Sequence, residues 1–361
     1  MSGTIMVMAG GTGGHVYPAL AVAEEIERRS FDVVWLGTRR GLEARVVPQA
    51  GIDIEWVSVQ GLRGKHWMTL LLAPFRLCYA LFQSLFIVAR HRPAAVVGMG
   101  GFASGPGGLA AWLLRRPLII HEQNAVAGLT NRLLARLARV VLQAFPGSFS
   151  PARRAETVGN PVRPAIASIA EPEQRLADRS GQLRLLVLGG SQGARALNLQ
   201  VPQALALLPA EQRPLVRHQS GSRTADEARS AYAEAGVSAE LPTFIDDMAA
   251  AYAWADLVVC RSGALTVAEL AAAGLPAILI PFPGAVDDHQ TANAQPMVSG
   301  GAAIVLQESD LSASSLASVL AEWLSDRVRL AERASAARAL AHPDALLRIA
   351  DACLQTAEGA R

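Results

Sequence analysis

His15 ends the stretch "GGTGGH", a glycine-rich turn that follows the apolar run "TIMVMA" and opens a helix. At a helix start the dipole disfavours the imidazolium, so the ring stays neutral and able to accept a proton. His15 is therefore a candidate general base, the alternative being a histidine that caps the turn or is satisfied in the core. The same turn leaves the first amides of its helix without intrahelical acceptors, a setting that favours a phosphate or pyrophosphate. A second turn, "GGSQGA" from residue 189, follows "LRLLVLGG", and a third, "MGGFASGPGG" at 99–108, follows "AAVVGMG". The first lacks the lysine of a P-loop and the third-glycine spacing of a dinucleotide fingerprint, and no acidic residue ends the second strand "DVVWLG". Three such loops exceed what turn-making needs, and two at corresponding places point to a ligand cleft.

Two further groups could serve a nucleotide sugar. In "RSGALTVAELAAAG" a turn at Ser262 and Gly263 starts a helix with Glu269 about one turn inside it. A carboxylate there could accept both hydroxyls of a ribose, or it could simply stabilise the first turns of its helix. Downstream, "DDHQTANA" gathers Asp287, Asp288, His289, Gln290 and Asn293 directly after an apolar run, either a site for sugar hydroxyls or a solvated loop.

These residues need elements to hold them. Short runs rich in Val, Ile and Leu alternate with alanine-rich amphipathic segments: "TIMVMA", "DVVWLG", "AAVVGMG", "RPLIIHEQN" and "RVVLQAF", then "LRLLVLGG", "PLVRHQS", "DLVVCRSG" and "PAILIPF". This order predicts an α/β protein with parallel sheets covered by helices. Residues 159–182 mix Pro, Gly and charge and read as a linker, so the two glycine turns become first-strand turns of two similar halves. The predicted boundaries are 1–162, 163–340 and a C-terminal helix at 341–361 that packs back toward the first domain. The tail is expected to be helical, with a break near Pro343.

About half of the 361 residues are apolar, enough for two cores, and the formal net charge of +2 offers no global attraction to nucleic acid. The three cysteines are scattered, with no zinc-binding spacing, which fits a reducing compartment. The opening "MSGTIMVMAGG" reads as a buried strand and implies no export. The most apolar stretch, "HWMTLLLAPFRLCYALFQSLFIVARHR", is interrupted by Pro74 and Arg76 and is too broken to span a bilayer. Basic flanks and the aromatic residues Trp67, Phe75, Tyr79, Phe82 and Phe86 suit an interfacial helix on an anionic membrane; a buried core helix explains the apolarity equally well.

Taken together, "GGTGGH", "HEQN", "GNPVR", "GGSQGA", "SGALTVAE" and "DDHQTANA", in this order and spacing, resemble the MurG family, inverting N-acetylglucosaminyltransferases that complete the lipid-linked precursor of bacterial peptidoglycan. The resemblance covers nearly the whole chain. It implies the GT-B fold: two Rossmann-like domains with parallel sheets facing each other across a cleft. UDP-N-acetylglucosamine would be the donor, and undecaprenyl-pyrophosphoryl-muramyl-pentapeptide the acceptor, with no tightly bound cofactor and no metal site.

The resemblance also implies roles. The backbone at Ile245 would meet the uracil, Glu269 the ribose, and Ala264, Leu265, Thr266, Val267 and Ala268 would surround the nucleotide. Ser191 and Arg163 would hold the pyrophosphate and Gln290 the sugar, while Thr12, Gly13, Gly14 and Asn124 would reach the donor from the first domain. The loops with Gly11, Gly100, Gly101 and Ser104 would receive the acceptor's pyrophosphate. His15 would be the base, with Glu122 of "HEQN" in reserve. Trp67, Leu71, Phe75, Tyr79, Phe82 and Phe86 would seat the enzyme peripherally on the cytoplasmic face of the inner membrane. Phe102 and His289 depart from residues common in relatives, Tyr and Gln.

Overall fold

The computed structural model describes residues 3–59, 72–177, 179–190 and 193–359. The chain divides into two compact units, Met1–Pro161 with His342–Arg361, and Val162–Ala341.

The first unit is built on seven parallel strands, β1 (Thr4–Met8), β2 (Asp32–Gly37), β3 (Asp53–Trp56), β4 (Ala95–Gly98), β5 (Leu118–Glu122), β6 (Val140–Gln143) and β7 (Glu156–Thr157). Their order is β3-β2-β1-β4-β5-β6-β7. Period-two alternation sends Ile5 and Val7 to one face and Met6 and Met8 to the other, all fully buried. The first face is closed by helix Gly13–Arg28 and by the C-terminal helix Ala345–Glu358, whose Ile349, Ala350, Cys353 and Ala357 lie in the same core. The second face is closed by helices Ala73–His91 and Ser104–Leu113.

The second unit carries β8 (Arg184–Leu188), β9 (Leu215–Gln219), β10 (Leu257–Cys260), β11 (Ala277–Leu279) and β12 (Ala303–Val305), in the order β12-β11-β10-β8-β9, again all parallel. In each unit the first strand lies between its successor and a strand reached by crossing back: β1 between β2 and β4, β8 between β9 and β10. The loops leaving β1 and β4, and those leaving β8 and β10, therefore diverge at a topological switch point, where open α/β sheets bind ligands.

The stretch at 159–182 is not a linker throughout. From Val162 onward it belongs to the second unit and forms two short helices, Pro164–Ala167 and Pro172–Leu176. Arg175 donates to the carbonyls of Ala255, Ala273 and Gly274, and Arg179 pairs with the buried Asp256. Burial pushes the Arg175 guanidinium down to about 10. The tail is helical, with one break more than expected, at Asp326, whose carboxylate caps the next helix through the amides of Val328 and Arg329.

Candidate active site

At the first switch point Thr12 is the N-cap of helix Gly13–Arg28, and neither a side-chain cap nor an acidic residue occupies the first turn. Thr12 and Gly14 are exposed and His15 is half-buried. His15 Nδ1 lies 3.0 Å from Oε1 of Gln123, whose Nε2 is 3.2 Å from Nδ1 of His121; His121 Nε2 in turn is 2.9 Å from the carbonyl oxygen of Gly159. His121 and Gln123 flank Glu122 at the end of β5, and burial lowers the His121 imidazole to about 4, so it is neutral at physiological pH.

The loop after β4 packs against the first turn. Gly100 and Gly101 have φ of +94° and +86°. A Cβ on Gly100 would stand 2.5 Å from His15 Nδ1, and one on Gly101 2.2 Å from the carbonyl oxygen of Gly10. Only glycine lets the loops approach this closely while leaving the imidazole in place.

Two of the expected site residues are tied up in hydrogen bonds of the fold. Glu122 is 1 % exposed, and its oxygens accept from the amides of Asn124 and Gly128 and the side-chain amides of Asn124 and Asn131. With four donors on one buried carboxylate, Glu122 ties down the loop after β5. Ser104 is fully buried and donates its hydroxyl to the carbonyls of Met8 and Gly100, so that hydroxyl locks the two loops together. An acidic residue that no local motif singles out supports the turn: Glu43, fully buried, accepts from the amide of Gly11 at 2.9 Å and from the amide and hydroxyl of Thr38 at 3.0 and 2.7 Å. It pins the crest of the first glycine turn from below.

At the second switch point Gly190 and Gly193 have φ of +75° and +83° at the turn into helix Arg195–Ala206. Ser191 lies outside the described residues, as do Trp67 and Leu71. The loop after β10 opens helix Ala264–Ala273, with Gly263 as N-cap and no acid in the first turn. Just before it, the fully buried Ser262 has a hydroxyl with no hydrogen-bond partner among the described residues. Ala264 and Val267 face the core, while Leu265, Thr266 and Ala268 are half-buried.

Glu269 receives Arg163 Nη2 on one oxygen and the Tyr252 hydroxyl on the other, both at 3.0 Å. Burial raises its pKa, and the two partners pull it back. Each oxygen keeps a lone pair, so the carboxylate can still take two vicinal hydroxyls. Tyr252, 1 % exposed and itself raised well above its ordinary pKa by burial, is a site residue that residue spacing does not single out. Beside Arg163 a cavity of about 360 Å³ is lined by Ala165, Ile166 and Asp246, Asp247, Met248 and Ala249, the segment that follows Ile245. Gln290, at the start of helix His289–Ser299, accepts the Phe282 amide on its side-chain oxygen at 2.9 Å, which leaves Nε2 to donate. Among the described residues no group of three or more His, Cys, Asp or Glu is placed to hold a metal ion.

The apolar segment contains helix Ala73–His91, which buries Ala80, Ser84, Ile87 and Val88 and turns Phe75 (75 % exposed), Tyr79, Phe82 (71 %) and Phe86 (70 %) outward. The neighbouring helix Ser104–Leu113 also exposes Trp112 and Leu113, and Arg76, Arg90 and Arg92 are exposed as well. No described helix is long and apolar enough to cross a membrane.

Two doubly wound units, each with a glycine turn at its switch point, present loops suited to phosphate-bearing ligands, with His15 as a base candidate in one unit and the Glu269 carboxylate in the other. Residues 5–143 match the glycosyltransferase family 28 N-terminal domain and residues 184–349 the family's C-terminal domain. The chain is 60 % identical over 99 % of its length to the whole of the UDP-N-acetylglucosamine--N-acetylmuramyl-(pentapeptide) pyrophosphoryl-undecaprenol N-acetylglucosamine transferase of Alkalilimnicola ehrlichii. It is 58 % identical to the enzyme of the same name from Nitrosococcus oceani, covering 98 % of this chain and 99 % of that one. The crystal structure of Acinetobacter baumannii MurG superposes with a TM-score of 0.86 at 40 % identity, covering 98 % of this chain and 99 % of the other. The chain belongs to the MurG family of N-acetylglucosaminyltransferases.

Proposed function

We infer that the protein transfers N-acetylglucosamine from UDP-N-acetylglucosamine to the C4 hydroxyl of undecaprenyl-pyrophosphoryl-muramyl-pentapeptide, converting lipid I to lipid II in peptidoglycan synthesis. What carries the reading is full-length identity of 60 % to a transferase of that name; His15 in the first unit, as a candidate base, and Glu269 in the second, as a candidate ribose ligand, support it. The reaction is a single displacement. The acceptor oxygen attacks the anomeric carbon, the bond to the diphosphate breaks, UDP leaves with the electron pair, and the α linkage becomes β. His15 takes the hydroxyl proton. Glu269 holds the ribose and Gln290 the sugar. Arg163 and the amides opening helices Arg195–Ala206 and Ala264–Ala273 offset the charge that grows on the leaving diphosphate. The amides of Gly13 and Gly14, with the loops at Gly11, Gly100 and Gly101, suit the acceptor's pyrophosphate. Neither a resident cofactor nor a metal is needed for this chemistry.

UDP is expected to appear from UDP-N-acetylglucosamine only when the muramyl-pentapeptide lipid is supplied. A coupled assay for UDP, run with and without that lipid, decides it. Equal release without acceptor, or accumulation of free N-acetylmannosamine as a 2-epimerase would produce, overturns the transferase reading.

The outward stripe on helix Ala73–His91 suits peripheral seating on an anionic membrane at the cytoplasmic face, where an acceptor held in the bilayer can be reached. Each exposed phenylalanine withdrawn from lipid is worth about 2 kcal/mol. The double variant Phe82→Glu, Phe86→Glu is therefore expected to bind anionic vesicles at least about a hundredfold more weakly, with turnover on a water-soluble acceptor analogue retained. Co-sedimentation with vesicles measures the first and UDP release the second; unchanged sedimentation excludes this face as the seat.

A further inference from the structure

We infer that Gln123 and His121 form a polarised hydrogen-bond chain that sets the tautomer of His15, placing its proton on Nδ1 and leaving Nε2 as the lone-pair nitrogen. The chain can be read from its fixed end. The carbonyl oxygen of Gly159 only accepts, so the His121 nitrogen 2.9 Å away, Nε2, must carry a proton. His121 is fully buried and held neutral, so its Nδ1 carries none and must accept. The group facing it at 3.2 Å is then the NH2 of Gln123. That orientation turns Oε1 of the amide to His15, 3.0 Å from Nδ1, and a carbonyl oxygen requires a proton there. A neutral imidazole protonated at Nδ1 bears its lone pair on Nε2.

Three features keep the polarity from reversing. Gln123 is 1 % exposed, so its side chain is packed in place, and its backbone carbonyl accepts Asn160 Nδ2 at 2.9 Å, which anchors the main chain that carries it. Glu122, between the two relay residues, is saturated by its four donors and does not compete. Gly100 gives the imidazole edge room at Nδ1. An amide rather than a carboxylate orients the ring, so the tautomer is chosen without adding negative charge where a diphosphate-bearing acceptor must approach. His121 and Gln123 are thus positioning residues that touch no reacting atom.

The inference rests on His15 being the base, and the test separates the two. The full chain is labelled with ¹⁵N-histidine, and His15 is assigned among the seven histidines by the signal lost in His15→Ala. The expected spectrum at neutral pH shows a protonated Nδ1 and an imine-type Nε2 on His15. Gln123→Met fills the same space without an acceptor oxygen, and is expected to move the proton toward Nε2, the site an unrestrained imidazole prefers. It should lower kcat on the order of tenfold while KM for UDP-N-acetylglucosamine stays within about twofold. Gln123→Glu, which restores an acceptor to Nδ1–H, is expected to restore the Nδ1 proton. A protonated Nε2 on His15 in the unaltered protein overturns the relay whatever the variants do, as does an unmoved His15 signal in Gln123→Met. Loss of turnover in His15→Ala together with a protonated Nε2 rejects the relay and keeps the base; an Nδ1 proton with undiminished turnover in His15→Ala keeps the relay and rejects the base.

Discussion

His15→Ala is expected to lower kcat by about 10²–10⁴-fold, the usual contribution of a positioned general base, with KM for UDP-N-acetylglucosamine nearly unchanged. The asymmetry follows from where the side chain stands. His15 belongs to the first unit, and the groups assigned to uracil, ribose and leaving diphosphate, from Arg163 through Glu269, belong to the second. Removing the imidazole removes a proton acceptor needed only as the acceptor hydroxyl attacks, so the loss falls on the transition state and not on the bound donor. The backbone around it should survive. The N-cap is Thr12, the helix is held by its own ladder and by the apolar face carrying Val16, Ala19, Val22 and Ala23, and the Glu43 contact to the Gly11 amide does not involve His15. Steady-state kinetics with each substrate varied in turn, with circular dichroism as a folding control, makes the measurement. Partial rescue of the variant by added imidazole would tie the loss to proton transfer; unchanged kcat would remove His15 from the chemistry.

The chain displays its inner framework more openly than its edges. The buried strands β1, β2, β4, β5, β6, β8, β10 and β11 stand out as Val/Ile/Leu runs because both faces of a parallel sheet are covered and alternation is lost, and of the edge strands only β9, "PLVRHQS", is legible in this way. The strands that such runs do not reveal, β3, β7 and β12, each lie at a sheet edge. "DIEW" has an exposed first residue and three half-buried ones, so it carries too little apolar density to read as a strand. The stretch after residue 161 looks like a linker for a related reason: its proline and charge are local features, whereas the contacts of Arg175 and Arg179 lie some 75 to 99 residues away.

The site divides in the same way. His15, Glu269 and the glycine turns are visible because helix starts and turns have local chemistry. Gln123 is 108 residues from His15 and Tyr252 is 17 from Glu269, and nothing near either announces the partner. Glu122 illustrates the converse: an acid inside a distinctive motif invites a catalytic role, yet its burial and four donors make it an anchor.

Glu269→Gln is expected to raise KM for UDP-N-acetylglucosamine about ten- to a hundredfold while leaving the free protein as stable as before, or more so, at neutral pH. The first half follows from replacing a carboxylate that takes two ribose hydroxyls with an amide that offers one oxygen; a hydrogen bond to a charged acceptor is worth about 1.5–3 kcal/mol. The second follows from the direction of the pKa shift. Burial raises the Glu269 pKa more than Arg163 and Tyr252 lower it, so the folded protein holds that proton more tightly than the unfolded chain. A raised carboxylate adds stability below its unfolded pKa, and that increment is lost as pH climbs through the folded value; at neutral pH the ionised group is carried at a cost. The amide removes the cost, and its oxygen can still accept the Tyr252 hydroxyl, so that buried donor is not orphaned. Arg163, with its side chain 53 % exposed, can turn to water. Thermal unfolding from pH 4 to 8 should show a weaker loss of stability toward neutrality in the variant, and the 2′-deoxyuridine analogue of the donor should lose less in the variant than in the parent. An unchanged KM would move the ribose away from this carboxylate, whereas a marked fall in unfolding temperature at neutral pH would show that the Arg163–Glu269–Tyr252 cluster holds the fold rather than the donor.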